Sequence, residues 1–211
     1  MLIRHGQSES NLNNFFAGQT DVPLTEQGRK QGIATGEFLK NEHVDAVYSS
    51  DLSRAYDTAC YAAEHHGLEV VKSTGLREIC GGRWEGRSYP DIKETFPETY
   101  NTWVTNIGLT ACEDGECVQQ VGERFYAEME RIAKANEGKS IIIGTHALAL
   151  RAFITIVKGI PFEKMHTELP WVSNASVTYV EYENGTFTVT YYGYDEHLKN
   201  AGLATVLRAK A

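Results

Sequence analysis

The stretch MLIRHGQSESN, residues 1–11, places an arginine, a histidine and a glycine directly after a short apolar run. The run is typical of a β-strand, so Arg4, His5 and Gly6 stand where that strand ends. In open α/β sheets, ligands bind outside the carboxyl ends of the strands. A cation and a titratable ring at this place therefore indicate a functional site.

Two later segments place the same residue types at predicted strand ends. VDAVYSS, residues 44–50, is typical of a buried strand and leads into Arg54. SIIIGTH, residues 140–146, is a continuous apolar run of the kind buried on both faces of a parallel sheet, and it ends at His146. Because the carboxyl ends of parallel strands share one edge, we expect two histidines and two arginines to meet there.

Segments with helical spacing separate these strands. Thr25 is the predicted N-cap of one helix, and Ser53 is the predicted N-cap of a second helix that stops at Gly67. Residues 118–136 form the clearest amphipathic pattern. Strands that alternate with helices favour βαβ units. We therefore predict an α/β fold with three α/β/α layers and a mostly parallel central sheet.

A hairpin and an insertion complete the predicted architecture. SVTYVEY and TFTVTYY flank Asn184-Gly185, a pair typical of a tight I′ turn, which predicts an antiparallel hairpin at the edge of the sheet. Residues 79–117 are rich in Gly, Trp, Tyr and charge, and we interpret them as a small inserted cap within one domain of residues 1–211. The run MLI is short for a central strand, so we expect the natural chain to begin upstream of Met1.

The composition is that of an ordinary globular protein. The 211 residues carry a formal net charge of −8. Proteins that bind nucleic acids or anionic membranes usually carry a basic stripe, so we expect neither partner. The absence of a long apolar run or secretion signal predicts a cytoplasmic protein. The four cysteines lack ligand spacing, which predicts neither a disulfide framework nor a zinc site.

The histidines and arginines at the predicted strand ends are compatible with either a metal site or a phosphoryl-transfer site. No carboxylate or further histidine stands at ligand spacing around His5 or His146, and neighbouring arginines repel cations. Phosphoryl transfer, in contrast, develops negative charge on oxygens that guanidinium groups bind bidentately. A neutral imidazole can accept the phosphoryl group, and adjacent arginines lower the pKa of a histidine. We therefore predict phosphoryl transfer without a metal or other cofactor.

Small residues after His5 fit the same chemistry. Gly6 is expected to let the backbone pass close to the phosphate. Ser8 and Asn11 offer neutral hydrogen bonds to its oxygens.

The segments around these residues resemble the histidine phosphatase superfamily, also called the phosphoglycerate mutase family. The similarity runs in the family's order through IRHGQSESN, TDVPLTEQGRKQG, YSSDLSRAYDTA, LREICGGRWEG, DGECVQQVGERF and GTHALALR. Together these segments cover most of the chain. Two positions depart from the family's usual pattern: Cys117 replaces a Ser or Thr, and Ala147 replaces a Gly.

The resemblance implies a role for each matching residue. It implies that the catalytic residues are His5, Glu78 and His146, and that the phosphate is bound by Arg4, Ser8, Asn11, Arg54 and Ala147. His5 would become phosphorylated, and His146 would hydrogen-bond the transferring group. Glu78 matches the proton donor to the leaving oxygen, because an alkoxide leaves poorly without a proton.

The resemblance also implies an activity and an alternative to it. The loop GGRWEGRSYPDI is similar to the phosphatase branch, which hydrolyses small phosphorylated metabolites through a phosphohistidine. A cofactor-dependent phosphoglycerate mutase is the alternative. An inactive scaffold that only binds is disfavoured because every reacting residue is present. The substrate and the choice between monomer and homodimer stay open.

Some residues near the predicted site have two possible roles. Three aromatic residues either line the leaving-group side of the site or pack the cap onto the body: Trp84, Tyr89 and Trp103. Arg151 either supports the site or packs along its helix.

Overall fold

A sheet of six strands forms the centre of the computed structural model, which describes residues 1–205. The strands are β1 (Leu2–Arg4), β2 (Ala46–Ser49), β3 (Val70–Lys72), β4 (Ile141–Thr145), β5 (Val177–Glu183) and β6 (Thr186–Tyr194). Their spatial order is β3-β2-β4-β1-β5-β6. The first four of these are parallel, whereas β5 and β6 form the antiparallel edge. The predicted sheet is confirmed, including its hairpin.

Helices cover both faces of this sheet. The helices are α1 (Glu9–Asn13), α2 (Glu26–Leu39), α3 (Ser53–His66), α4 (Tyr89–Thr95), α5 (Pro97–Thr105), α6 (Val118–Ala135), α7 (Ala147–Val157), α8 (Met165–Glu168) and α9 (Glu196–Asn200). Neighbouring residues of a strand point to opposite faces. Ile3 and Ile142 are buried with α2 and α3, whereas Leu2 and Ile143 are buried with α6 and α7. Within residues 1–205, no helix combines the length and apolar character needed to cross a membrane.

The short strand β1 lies in the middle of the sheet. Arg4 is the register partner of Thr145 in the parallel strand β4. The amide of His5 donates to the carbonyl of Thr145 at 2.9 Å. His5 and His146 therefore follow adjacent parallel strands, which brings the two histidines together at one edge of the sheet.

Close packing of α2 explains a glycine that sequence reasoning assigned to the phosphate. A Cβ atom on Gly6 would collide with the backbone carbonyl of Gly28, and a Cβ on Gly28 would collide with that of Gln7. Backbone atoms cannot rotate away as a side chain can. The structure thus gives Gly6 a packing role: its missing side chain admits helix α2 against the loop after β1.

The start of α3 differs by one residue from the prediction. Ser53 is its first helical residue, and Leu52 holds the N-cap position. The amide and hydroxyl of Ser53 both donate to the Asp21 carboxylate at 2.8 Å. A carboxylate from an earlier loop thus caps the helix, as the positive end of its dipole favours.

The segment predicted as a cap, residues 79–117, contains the two α-helices α4 and α5. Pro97 begins α5, and Phe96 before it has φ −131° and ψ 59°. A residue before proline avoids the helical region, which separates α4 from α5. Trp84 and Trp103 of this segment lie in the same buried cluster as α6 and α7, so the segment shares the core of the body.

Candidate active site

A pocket opens at the carboxyl ends of the parallel strands. Most of the predicted site residues line it: Arg4, His5, Asn11, Arg54, Glu78 and Ala147. They come from segments distant in sequence, and the parallel strands bring these segments to one edge. His146 and Ser8 are fully buried next to the pocket and do not line it.

His5 is held in a defined tautomer. Its Nδ1 donates to the carbonyl of Gly6 at 2.6 Å, because a carbonyl oxygen can only accept. Burial, with the charges of Arg54 and Arg4 close by, lowers the pKa of His5 well below its ordinary value. The ring is therefore neutral near pH 7, and its Nε2 carries a lone pair.

His146 stands beside His5, with ring centroids 5.3 Å apart. Its Nε2 lies 2.9 Å from the hydroxyl of Ser50. Within the described part of the chain, its buried Nδ1 has no hydrogen-bond partner. Burial, followed by the charge of Arg54, lowers its pKa well below the ordinary value. An oxygen bound between the rings would give this nitrogen a partner.

Two buried guanidinium groups supply the positive charge of the pocket. Arg54 donates to the carbonyls of Gly18 at 2.7 Å and Thr20 at 3.0 Å. Arg4 donates to the carbonyl of Val172. Burial lowers the pKa of Arg4 to about 10, so its side chain stays cationic at neutral pH. Backbone carbonyls orient both groups without neutralising them, which leaves the charge available to an anion.

Asn11 and a neighbouring serine complete the polar lining. The Asn11 Oδ1 accepts from the amide of Ser8 at 3.2 Å and from Asn174 Nδ2 at 3.1 Å. These contacts orient the Asn11 amide group so that its Nδ2 remains available. The Ser8 hydroxyl bonds that of Ser10 at 2.9 Å, and Ser10, which sequence reasoning missed, lines the pocket in its place.

Glu78 lies at the N-terminus of α7. Its two carboxyl oxygens accept from the amides of Leu148 at 3.1 Å and Ala149 at 2.9 Å. Ala147 lines the pocket one residue earlier in this helix. The amides of a helix N-terminus bind negative groups, so they orient the Glu78 carboxyl group at the edge of the pocket.

A network behind Glu78 holds its segment in place. Arg124 of α6 binds the Glu116 carboxylate with two contacts, at 2.8 and 3.0 Å. It also donates to the carbonyls of Gly75, Arg77 and Glu78 at 3.0, 3.1 and 3.2 Å. This use of the guanidinium fork clamps the backbone that carries Glu78. Sequence reasoning missed Arg124, although it lies inside the quoted segment DGECVQQVGERF.

A second missed residue supports the nucleophile loop. Asn174, fully buried before β5, donates from Nδ2 to the carbonyl of His5 and to Asn11 Oδ1, each at 3.1 Å. It therefore ties the two residues to one another. Asn174 lies in the segment SNAS, residues 173–176, which has no charge or periodicity that would indicate such a role.

Metal binding finds no support in the donor set. Among the residues that the structure describes, no three His, Cys, Asp or Glu side chains converge as a metal ion would need. The pocket instead combines two cations with a neutral imidazole, a set that suits the anionic oxygens of a phosphate ester.

Comparison with known proteins agrees with this geometry. The family model of the histidine phosphatase superfamily (branch 1) matches residues 1–195. Phosphoserine phosphatase 1 of Hydrogenobacter thermophilus is 32% identical over 164 residues, 78% of each chain. The metal-independent phosphoserine phosphatase of Arabidopsis thaliana is 32% identical over 206 residues, 96% of this chain and 84% of the relative. The solved structure of Bacillus stearothermophilus YhfR superposes with a TM-score of 0.89 at 29% identity, covering 93% of this chain and 97% of that one.

The fold and the pocket define an enzyme of phosphate esters. The chain belongs to the histidine phosphatase superfamily. It is a phosphoric monoester hydrolase of small phosphorylated metabolites, and the predicted family and activity are confirmed. The mutase alternative is less favoured.

Proposed function

We propose that the enzyme hydrolyses phosphomonoesters in two steps through a phosphohistidine on His5. The free Nε2 of His5 is the observation that supports this proposal. In the neutral ring, Nδ1 holds the proton that it donates to the Gly6 carbonyl, so Nε2 is unprotonated. Nε2 attacks phosphorus, and the bond from phosphorus to the ester oxygen breaks. Water then attacks the phosphohistidine, releasing inorganic phosphate and free His5.

Arg4 and Arg54 stabilise the charge that develops on the transferring oxygens. Their guanidinium groups are buried, where a charge interaction is stronger than in water. Asn11 donates from Nδ2, and His146 donates from Nδ1 in the tautomer whose Nε2 accepts from Ser50. The amide of Ala147, at the start of α7, offers a further donor. We assign Ser8 to support of Asn11 and Ser10.

Glu78 handles the protons of both steps. In the first step its carboxyl group donates a proton to the leaving oxygen, so that an alcohol departs instead of an alkoxide. In the second step the resulting carboxylate takes a proton from the attacking water. The amides of Leu148 and Ala149 hold the carboxyl group in place for both transfers.

The pocket lining also bears on the mutase alternative. A mutase that uses a bisphosphorylated primer must bind a second phosphate. Among the lining residues that the structure describes, Arg4 and Arg54 are the cations. Both belong to the first phosphate, so a second phosphate would lack a counter-charge. Hydrolysis by water needs no such group.

The test measures both turnover and the intermediate. Wild type, His5→Ala and a control, His43→Ala, are assayed with 4-nitrophenyl phosphate; the His43 side chain is 81% exposed and does not line the pocket. We expect His43→Ala to match wild type and His5→Ala to lose at least about 10³-fold in kcat. Acid-labile, base-stable phosphate should appear on wild type after rapid quenching. Equal turnover by His5→Ala would refute the assignment.

The proposal also includes an enzyme that acts without a metal ion and in the cytoplasm. We expect a chelator to leave kcat and KM unchanged, because no step uses a metal ion. The free thiols of Cys60, Cys80, Cys112 and Cys117 agree with the reducing cytoplasm.

A further inference from the structure

Aromatic rings make up much of the pocket lining beside the phosphate cations. We call these residues the aromatic wall: Phe15, Phe16, Tyr89, Trp103 and Trp171. Ile79 and Leu148 add aliphatic surface to the same lining. Attack and departure lie in line at phosphorus, so the leaving group of a phosphate ester lies opposite His5 Nε2, and the apolar part of the lining that it can contact is the aromatic wall.

No residue of the aromatic wall is itself cationic, and the Arg151 guanidinium that lies against Trp171 does not line the pocket. The lining cations of the described chain, Arg4 and Arg54, match the two charges of a phosphate dianion. Arg87, from the nearby segment, is paired with Asp91 at 3.0 Å instead. A carboxylate on the leaving group would therefore lose its water without gaining a counter-charge, and it would approach Glu78.

Edge contacts hold the wall rigid. The Phe16 ring meets Trp84 and Trp103 edge to face, with centroids 5.5 and 5.4 Å apart, and Tyr89 at 6.5 Å. Trp84 is fully buried and packs the cap onto the body, whereas Tyr89 and Trp103 line the pocket. A preformed apolar surface of this kind binds apolar groups with little ordering cost.

Trp171 closes the wall from the loop between α8 and β5, and Arg151 holds it there. The Arg151 guanidinium lies 4.2 Å from the centroid of the Trp171 ring. It also donates to the carbonyls of Leu169 at 2.6 Å and Met165 at 3.2 Å. Arg151 is 1% exposed, and the ring and the two carbonyls that accept from its Nη2 stabilise the buried charge, while its Nε and Nη1 have no partner among the described residues. Of the two roles that the sequence left open for Arg151, these contacts favour support of the pocket through Trp171.

We propose that the aromatic wall selects phosphomonoesters whose leaving group is apolar and uncharged, and discriminates against leaving groups that carry a carboxylate. Trp171 is the specificity-determining residue, and Arg151 is the positioning residue that acts through it. The inference rests on the phosphatase activity proposed above. It separates this enzyme from its relatives named as phosphoserine phosphatases, since phosphoserine carries a carboxylate on its leaving group.

Two substrate pairs that differ by one carboxylate test the charge argument. They are phenyl phosphate against 4-carboxyphenyl phosphate, and glycerol 3-phosphate against 3-phosphoglycerate. We expect kcat/KM to fall at least about tenfold with the carboxylate in each pair, because an unpaired charge is costly at a desolvated surface. The kcat/KM for naphthyl phosphate should exceed that for phosphoserine. Every rate is measured beside His5→Ala.

The same rates distinguish the two proposals. If no substrate is turned over in a His5-dependent way, the proposed phosphatase activity fails. If turnover depends on His5 but the carboxylated substrates react as well as their partners, the phosphatase stands and the selectivity is overturned.

Variants test the roles of Trp171 and Arg151. Trp171→Ala should lower the ratio of kcat/KM for naphthyl phosphate to that for glycerol 3-phosphate by about two- to tenfold, mainly through KM, and Trp171→Phe should restore most of it. Arg151→Met should lower the same ratio. The double variant Trp171→Ala/Arg151→Met should lower it no further, because Arg151 acts through Trp171. Additive losses, or an unchanged ratio in Trp171→Ala, would overturn these roles.

Discussion

Removing the guanidinium group of Arg124 should damage both stability and proton transfer. In Arg124→Ala the Glu116 carboxylate loses a bidentate partner, and three backbone carbonyls before and at Glu78 lose their donor. The side chains of the ion pair are 26% and 21% exposed. The loss should therefore fall between that of an exposed pair and that of a buried one, at about 2–4 kcal/mol. Arg131→Ala is the matched control on the same helix, with a 60% exposed side chain and an expected loss of about 0–1 kcal/mol.

The assay separates the fold from the chemistry. Urea unfolding followed by circular dichroism gives the free energy of unfolding of each variant. Turnover is then measured without urea, at a temperature where both variants are folded, with 4-nitrophenyl phosphate and glycerol 3-phosphate as substrates. Since 4-nitrophenolate leaves without a proton and an alkoxide does not, a misplaced Glu78 should reduce kcat/KM, which reports the first step, mainly for glycerol 3-phosphate. A loss of stability no larger than that of Arg131→Ala, or an equal loss of kcat/KM for both substrates, would refute the clamp.

Three further changes test other parts of the site. Burial lowers the pKa of His5, so below about pH 6.5 the unfolded chain binds a proton that the folded chain does not, and stability falls as the pH falls. Between pH 6.5 and 5.5 wild type should lose about 1 kcal/mol more than His5→Gln in urea titrations without phosphate, and parallel curves would contradict this. Gly28→Ala should lower the free energy of unfolding by about 1–3 kcal/mol, because its Cβ meets backbone, and an unchanged urea midpoint would disprove the close approach. Asn174→Asp should place a carboxylate against the His5 carbonyl and Asn11 Oδ1, costing about 1–3 kcal/mol and lowering kcat; wild-type kinetics would remove Asn174 from the site.

The phosphate side of the pocket could be predicted because it follows from strand ends. Parallel pairing sets β1 beside β4, so residues that follow these strands become neighbours whatever the loops do. His5 and His146 meet for this reason. Arg54 follows β2 closely enough for the same rule to apply.

Details of side-chain direction could not be predicted in this way. Ser8 and Ser10 are both small and polar, and which of them lines the pocket depends on where α1 begins. Ser8 is the N-cap residue of that helix, which turns its side chain away from the pocket and brings in Ser10. The sequence offers serines at both positions without deciding the helix start. Gly6 is a similar case. The backbone of Gly28 excludes a side chain at Gly6, and only the packing of α2 brings Gly28 near.

The substrate side of the pocket depends on contacts that neither strand ends nor periodicity contain. Trp171 reaches the wall because Arg151, buried in α7, holds the loop by its carbonyls and its ring. Phe16 reaches it because the segment of residues 79–117 packs its tryptophans around that ring. In the proposed reaction, the residues assigned to the phosphate determine the chemistry, whereas contacts between loops determine which alcohol can leave. Because these two sets come from different segments, the selectivity for the leaving group can change while the chemistry stays the same, and we expect the selectivity of this chain to lie in the aromatic wall.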